Sequence, residues 1–326
     1  MQRRQFLQNT TLVAASLWLA PTRAAAVRTG LVYDDRFLDH VITPDHPESP
    51  RRLETLRAHF RERELWSRLV PIRPRQHPGA ALEAIHTAEH IGGIAERYPD
   101  SHDIALLASG GAVAAVDAVM AGTVDNAFCA SRPPGHHALN TGREEGFCFY
   151  NHVAIAARHL QQEHGLKRIL IVDWDYHHGN GTEAAFYDDP DVLFFSTHDV
   201  DAYPGTGRAS RTGTGAGAGF NINVPLSCGA DDADIRRAFS DRLLPAADDF
   251  KPEFVLISAG FDSRKSDLLG CFAITDAGFR QLTTMMRELA GRHCNGRLVS
   301  ILEGGYNLKG NASAAAAHVE TLLEDA

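Results

Sequence analysis

The chain has no excess of positive charge and, beyond its first residues, no long hydrophobic run. Its 326 residues carry 32 Lys and Arg against 41 Asp and Glu, a formal net charge of -9. An acidic surface repels phosphate backbones, so the composition predicts no nucleic-acid partner. After residue 26 no stretch approaches the ~20 apolar residues of a membrane span, and we expect no span in the mature chain. The phosphate-loop pattern GxxxxGK[ST] is also missing from the Gly-rich stretch 205–219.

Cysteines are few and widely separated. The five are Cys129, Cys148, Cys228, Cys271 and Cys294, and none forms a CxxC pair. This spacing does not favour a redox motif or a thiolate zinc site, and an odd number cannot be bridged completely. We therefore expect buried thiols.

The N-terminal segment differs in character from the rest of the chain. It contains the pair Arg3-Arg4, a mildly apolar stretch at 12–20 and the small residues 24–26. This order is typical of a twin-arginine export signal, which predicts a signal at residues 1–26, a single domain at 27–326 and a periplasmic or exported protein. The alternative is an ordinary surface helix with a chance arginine pair.

Beyond that segment, short apolar runs alternate with helical periodicity. We predict strands at 127–130, 169–172, 192–195, 254–258 and 298–302, and the helix candidates include 108–120, 152–162, 233–244 and 276–289. Strands that are apolar on both faces are typical of parallel sheets covered by helices. The predicted fold is therefore α/β, a doubly wound parallel sheet flanked by helices in one domain.

A polar cluster follows each of the five predicted strands. The clusters occupy residues 132–137, 173–178, 196–199, 260–262 and 303–306. Because open α/β sheets place their sites beyond the carboxyl ends of their strands, we expect these clusters to form one pocket. Loops that merely solvate strand ends would explain one or two clusters, but not five.

The cluster after the strand at 169–172 has the composition of a metal site. Strand side chains alternate faces, so Asp173, Asp175 and His177 can point to one side. Asp262 follows another strand. Asp175, His177 and Asp262 are thus candidate ligands for one divalent ion that keeps an open position for water.

Further motifs lie in order along nearly the whole chain after the signal, and the full set occupies 46–52, 132–137, 146–151, 173–181, 203–207, 223–225, 260–262 and 303–306. Taken together, these motifs resemble the histone deacetylase superfamily, especially its class II and bacterial amidohydrolase members, which are related to acetylpolyamine amidohydrolases. This resemblance implies an arginase/deacetylase-like fold with the site at the carboxyl ends of the strands.

The resemblance implies a zinc-dependent hydrolase of acyl amides with one ion per chain, and iron as the alternative metal. Asp175, His177 and Asp262 would hold the ion. His137 would act as the base and His136 would stay cationic beside Asp173, while Asn180 would orient His137. Tyr306 would donate its hydroxyl to the developing oxyanion.

The same resemblance implies a narrow substrate channel and a structural potassium ion. Gly146, Phe147, Tyr203 and Leu269 would line the channel, with Arg52 by the internal cavity that receives the released acid. The residues that match the potassium site are Asp173, Asp175, His177, Ser196 and Thr197.

The expected substrate is a small molecule or peptide carrying an acyl, most simply acetyl, group on a lysine-like amine. Where one polyamine-specific member has Glu, this chain has Leu269, which favours an acyl-lysine or neutral amide. The alternatives are an acetylpolyamine amidohydrolase, a two-metal arginase-like ureohydrolase and a non-catalytic acyl-binding protein. A homo-oligomer also stays open.

Overall fold

The computed structural model describes residues 26–325, so the predicted export signal lies outside the described residues except for Ala26. Within them, eight parallel strands form one sheet in the order β2-β1-β3-β8-β7-β4-β5-β6. The strands are β1 (Thr29–Val32), β2 (Val70–Ile72), β3 (Asn126–Cys129), β4 (Ile169–Asp173), β5 (Val192–His198), β6 (Asn221–Pro225), β7 (Phe254–Ala259) and β8 (Leu298–Leu302). The predicted parallel α/β fold is confirmed.

Helices cover the sheet in two groups. They are α1 (Arg51–Glu62), α2 (Ala88–Arg97), α3 (Pro99–Met120), α4 (His152–His164), α5 (Asn180–Phe186), α6 (Asp232–Ala238), α7 (Leu244–Phe250), α8 (Asp276–His293) and α9 (Leu308–Leu322). In one group α3 packs against α4, and in the other α9 packs against α1 and α8. Strand β7 contacts both α4 and α8, one helix from each group. The sheet is thereby buried between helical layers.

Local sequence explains where several of these helices begin and end. The Asn151 side chain accepts a hydrogen bond from Ala154 N and caps the start of α4, while Gly165 ends it with a φ of 66°. This left-handed backbone conformation favours glycine. The single helix predicted at 233–244 is wrong, because a π-helical turn at Phe239–Leu243 separates α6 from α7.

Helix α3 corrects the expectation that no later segment approaches a membrane span. Its 22 residues are long and apolar enough to qualify, with a mean hydropathy of 1.6 over the most apolar window. Most of that window is buried inside the protein, however, since α3 packs against α4, β3 and β1. A helix that is apolar all round is also what a core position requires.

The expectation of five buried thiols is wrong for two cysteines. Cys228 and Cys271 are exposed and form a disulfide, with their Cα atoms 5.2 Å apart. Cys129, Cys148 and Cys294 are buried free thiols. The bridge connects the loop after β6 to the loop after β7, and it closes a sequence separation of 43 residues. Spacing along the chain cannot reveal such a tertiary contact.

The order of the strands explains why the polar clusters meet. Strands β3, β8, β7, β4 and β5, which carry the five clusters, are consecutive in the sheet. Their carboxyl ends are also level, since Asp173 pairs with both Ser196 and Ser258, and Ser258 pairs with Ile301. The clusters therefore share one edge of the sheet.

A buried histidine in α9 bridges this helix to α8 and β8. His318 is fully buried, and its two ring nitrogens lie 2.7 Å from Thr283 Oγ1 of α8 and 2.7 Å from Ser300 Oγ of β8. Its ring packs against Phe128, Trp174 and Phe261. Burial lowers the pKa of His318 to about 3.

This burial predicts a pH-dependent contribution to stability. Below pH 6.5 His318 is protonated in the unfolded chain and neutral in the folded chain. The free energy of unfolding that His318 contributes therefore decreases as the pH decreases, by up to ~1.4 kcal/mol per pH unit. The gap in unfolding free energy between the wild type and His318→Asn should shrink between pH 7 and pH 4.5 in urea titrations of the chelator-treated protein. A gap that is constant across this range would contradict the assignment.

Candidate active site

Three predicted ligand side chains lie together at the ends of β4 and β7. His177 Nδ1 is 3.1 Å from Asp175 Oδ1 and 3.1 Å from Asp262 Oδ2. Both carboxylates are fully buried, and the His177 side chain is about one-eighth exposed, at 12%. Asp173 is the last residue of β4, so the alternation of side chains brings Asp175 and His177 toward the same pocket.

Two glycines let the backbone approach these carboxylates. Gly304 N donates a hydrogen bond of 2.8 Å to Asp175 Oδ2. A Cβ atom at Gly304 would clash with Asp262 Oδ2, and one at Gly260 would clash with Asp175 Oδ2. Glycine at both positions is therefore required by space, since the strand-end backbone packs directly on the ligand oxygens.

The paired histidines differ in their hydrogen-bond partners. His136 Nδ1 lies 2.9 Å from Asp173 Oδ2, and His137 Nδ1 lies 2.7 Å from Asn180 Oδ1. Both partner atoms are oxygen acceptors, so each ring donates from Nδ1 and turns Nε2 away from that partner. The ring centroids are 4.0 Å apart.

Their surroundings push the pKa values of the two rings in opposite directions. Burial alone would lower the pKa of His136, but the charges of Asp173 and Asp175 outweigh it and raise that pKa well above its ordinary value. Burial lowers the pKa of His137 well below its ordinary value, and the charges of His136 and His177 lower it further. The pair thus offers one cationic and one neutral imidazole.

Glu303 belongs to the site, although sequence reasoning gave it no role. Its Oε2 accepts hydrogen bonds from Gly135 N at 2.6 Å and His136 N at 3.1 Å. This fully buried carboxylate therefore holds the loop that carries both histidines. The available signal was its position directly after β8, the strand next to β7.

A cavity of about 500 Å³ leads to this cluster. It is lined by His137, Glu144, Gly146, Phe147, Tyr176, His177, Ala202, Tyr203, Leu269 and Tyr306. Four of these are the predicted channel residues Gly146, Phe147, Tyr203 and Leu269; Tyr176, Ala202 and Glu144 were missed. Tyr176 is the residue between two ligands, and only the turn after β4 brings it to the wall.

The aromatic walls pack on the reactive groups. Phe147 has a φ of 69°, and its ring lies edge-on to Tyr306 at 5.9 Å. The Tyr203 ring meets His137 edge-on at 5.0 Å. A Cβ atom at Gly146 would clash with His137, so this glycine lets the channel wall come close to the His137 ring. Flat walls of this kind suit an unbranched alkyl chain.

Tyr306 lies at the inner end of the channel and is only 4% exposed. Its backbone N donates to Asp267 Oδ2 at 2.7 Å, which is a further support that sequence reasoning missed. Burial raises the pKa of Tyr306 well above its ordinary value, so the hydroxyl keeps its proton.

Arg52 does not line the channel. Its guanidinium is fully buried behind Tyr306, with its central carbon 5.0 Å from the centroid of the tyrosine ring. Arg52 Nε donates to Gly305 O at 2.7 Å. Arg52 therefore holds the backbone that carries Tyr306, and its predicted place by an internal cavity for the released acid stays a prediction.

The predicted potassium ligands lie at or just beyond the carboxyl ends of β4 and β5. Asp173 Oδ1 accepts from Asp175 N at 3.1 Å, and Ser196 Oγ lies 2.8 Å from His198 Nδ1. Among the described residues, the buried Thr197 Oγ1 has no hydrogen-bond partner. Thr197 follows Ser196 in β5, so its side chain points to the opposite face of the strand and it would reach the same ion through its backbone carbonyl.

The donor set also fits a divalent metal. One oxygen or nitrogen from each of Asp175, His177 and Asp262 lies within 4.8 Å of the others. Burial and the charge of Asp175 raise the pKa of Asp262 to about 7, which shows how unfavourable two uncompensated carboxylates are here. Two carboxylates and an imidazole form a neutral combination with a dication, and they are ligands that zinc accepts.

Comparison with known proteins identifies the family. The profile of the histone deacetylase domain matches residues 46–322. The chain belongs to the histone deacetylase family. It is 37% identical to histone deacetylase 15 of Arabidopsis thaliana over 98% of this chain and 61% of the relative. It is also 37% identical to the polyamine deacetylase HDAC10 of Homo sapiens over 91% of this chain and 48% of the relative.

The structural likeness covers the same region. The crystal structure of the HDA15 HD domain matches with a TM-score of 0.85 and 38% identity, over 91% of this chain and 90% of that one. This match confirms the predicted deacetylase fold. The chain spans about 61% and 48% of the lengths of the two curated relatives above.

The packing of Gly304 against the ligand carboxylates gives a test of the metal cluster. Gly304→Ala should weaken Zn²⁺ binding by ~10–100-fold, because the added methyl group displaces Asp262. Zinc content after dialysis and titration calorimetry would measure the change. Gly291→Ala in α8 is the matched control, since nothing lies within 4 Å of its Cβ. Wild-type affinity in Gly304→Ala would contradict the proposed ligand set.

Proposed function

We propose that this protein is a zinc-dependent amidohydrolase that removes acyl groups, most simply acetyl, from lysine-like amines. One observation carries the proposal: a metal-ligand cluster, two imidazoles with opposite pKa shifts and a buried phenol all face the inner end of one aromatic channel. Each group supplies a component that amide hydrolysis needs.

Asp175, His177 and Asp262 would hold the metal, with one ion per chain at this site. Zn²⁺ bound there would polarise the acyl carbonyl and acidify the attacking water. Fe²⁺ is the alternative ion. Asp175 is held in place by Gly304 N, and Asp262 by its hydrogen bond of 2.8 Å from Tyr176 N. These bonds orient the ligands before any ion arrives.

His137 is the proposed general base. Its Nδ1–H donates to Asn180, so Nε2 carries the lone pair, and its lowered pKa keeps the ring neutral. Nε2 takes a proton from water as the water oxygen bonds to the acyl carbon. The same proton later passes to the leaving nitrogen as the C–N bond breaks, which yields a carboxylic acid and an amine. His136, cationic beside Asp173, stabilises the negative charge that develops.

Tyr306 is the proposed oxyanion donor. Its hydroxyl proton is retained because burial raises the pKa of Tyr306, and Arg52 holds the adjacent backbone by donating from Nε to Gly305 O. A donor that is already in position needs no reorganisation as the carbonyl oxygen gains charge.

Removal of the Tyr306 hydroxyl tests this role. Tyr306→Phe should lower kcat at least ~100-fold on an acetyl-lysine peptide and change KM little, because the hydrogen bond strengthens only in the transition state. Tyr33→Phe is the matched control, since the Tyr33 hydroxyl contacts only the exposed Asp35. Equal turnover by Tyr306→Phe and the wild type would remove the proposed oxyanion role.

One observation favours a second substrate class, acetylated polyamines. Glu144 is the only acidic residue on the channel wall in the part of the chain that the structure describes. Its carboxylate accepts a hydrogen bond from Phe147 N, and the charge that remains would attract a cationic substrate. The human relative, which is named a polyamine deacetylase, favours the same substrate class. The apolar Leu269 at the rim favours acyl-lysine instead.

A substrate panel separates the two classes. On the metal-loaded protein we expect a higher kcat/KM for an acetyl-lysine peptide than for acetylputrescine, because Leu269 offers no charge to a second amine at the rim. Glu144→Gln should lower turnover of acetylputrescine more than that of the peptide. A preference for acetylputrescine in the wild type that Glu144→Gln abolishes would reverse the assignment.

The remaining alternatives are less well supported. An arginase-like ureohydrolase needs further bridging carboxylates, and within the described residues the catalytic cluster gathers three ligand side chains. A non-catalytic acyl-binding protein would not need His136, His137 and Tyr306 together. The structural potassium ion at Asp173, Asp175, His177, Ser196 and Thr197 is part of the proposal, and the pairing of Asp173 with Ser196 at the ends of β4 and β5 supports it.

Export by the twin-arginine route is also a proposal, as is the domain division at residue 26. The exposed disulfide between Cys228 and Cys271 supports it, since such bonds persist in oxidising compartments. Cell fractionation with an Arg3-Arg4 to Lys-Lys variant would decide the location. The acidic composition still predicts no nucleic-acid partner, and a homo-oligomer stays open.

A further inference from the structure

A second group of metal-ligating side chains lies between α3 and α4. His159 Nε2 is 2.8 Å from Asp117 Oδ1, and His164 Nε2 is 2.7 Å from the same oxygen. One donor atom from each residue lies within 4.8 Å of the others. The cavity beside this group shares no lining residue with the substrate channel. The group is therefore separate from the catalytic cluster.

The two helices hold these side chains in place. Asp117 lies in the last turn of α3, and α3 packs closely against α4. His159 is 5% exposed, while the His164 side chain, at the end of α4, is 24% exposed. A buried ligand gives a rigid position, and a partly exposed one leaves a path to solvent.

We propose that Asp117, His159 and His164 form a second binding site for a transition-metal dication, with Zn²⁺ as the ion to test. Two imidazoles and one carboxylate suit Zn²⁺, Ni²⁺ or Cu²⁺ and disfavour Mg²⁺ and Ca²⁺, which take oxygen ligands. The adjoining cavity of about 440 Å³ leaves room for water at a fourth position.

The geometry needs only a small adjustment. Tetrahedral ligands at ~2.05 Å from zinc lie ~3.3 Å apart, so each histidine nitrogen must move about half an ångström from Asp117. His164 can make this movement because it ends α4 and is partly exposed. In the catalytic cluster the corresponding separations are 3.1 Å. The second group therefore has shorter donor-to-donor distances than the catalytic cluster, and both consist of carboxylate oxygens and imidazole nitrogens.

The surrounding charge predicts a weaker site than the catalytic one. Arg75 contacts Asp117 Oδ2, which leaves Oδ1 for the ion and fixes the plane of the carboxylate. Its positive charge cancels that of Asp117. Glu163 lines the same cavity and restores one negative charge nearby. Two carboxylates act on the catalytic ion, so we expect the second ion to bind at least ~10-fold more weakly.

Binding here would clamp α3 to α4 and would not touch the reacting atoms. An ion that binds only the folded chain raises its stability with ion concentration. The expected consequence is a melting temperature that rises with Zn²⁺ after the catalytic site is saturated. Because no step of the proposed hydrolysis uses these residues, failure of either proposal leaves the other intact.

The test is the Zn²⁺ stoichiometry of the full-length protein, measured by elemental analysis and titration calorimetry. The variants are His164→Gln and His159→Gln, and the control is His293→Gln. His293 Nε2 makes the same contact of 2.7 Å with Asp248 Oδ1, and within the described residues no second histidine shares that oxygen. We expect the wild type and His293→Gln to bind a second equivalent that His164→Gln and His159→Gln lose.

A zinc count in His164→Gln equal to that of the wild type would overturn the proposal. The number of bound Zn²⁺ ions should fall by one in the variants whether or not the catalytic cluster binds an ion. A defect in the catalytic cluster therefore cannot produce the same difference between wild type and variant. If His159→Gln does not fold, the more exposed His164→Gln carries the test alone, with thermal unfolding as the check on its fold. Acetyl-lysine turnover should stay within about twofold of wild type in both variants.

Discussion

Compensation of buried negative charge is the constraint on which the rest of the site depends. Asp173, Asp175, Asp262 and Glu303 are all fully buried at one edge of the sheet. Burial of isolated carboxylates is costly unless cations or hydrogen-bond donors meet them. Here backbone N–H groups, His136 and His177 face these acids. The proposed divalent ion would complete the balance, and the cationic state of His136 follows from the same requirement.

That constraint explains why the two adjacent histidines can differ. His136 faces Asp173, while the neighbouring His137 faces the uncharged Asn180. The charge on His136 then disfavours a second charge on His137, because their ring centroids are only 4.0 Å apart. The neutral state of His137 thus follows first from its burial and then from the charge of its neighbour. Asp173, which raises the pKa of His136, is the last residue of β4, so the position of this strand determines which of the two histidines is cationic.

Much of the fold and of the site centre could be predicted because the signals are local. Strands buried on both faces appear as apolar runs, and each is followed at once by its polar residues. Three strands were missed: β2 is only three residues long and contains a proline, β6 begins with a polar residue and ends with a proline, and β1 begins with Thr29 and Gly30. Contacts between distant segments were also missed. The disulfide, the place of Arg52 and the support from Asp267 depend on which loops meet, and spacing along the chain does not contain that information.

The chemistry and the selectivity of this channel rest on different parts of the structure. His137 and Tyr306 are 3% and 4% exposed and are fixed to strand ends, where a change of position would disturb the whole buried charge balance. Tyr203 and Leu269 are 46% and 41% exposed and lie on loops. Loop residues can change with little cost to the core, so substrate preference can vary while the reaction stays the same. Family membership therefore constrains the reaction class more tightly than the substrate. In the proposed function, the choice between acyl-lysine and polyamine would therefore lie with Leu269 at the rim and with Glu144 on the channel wall.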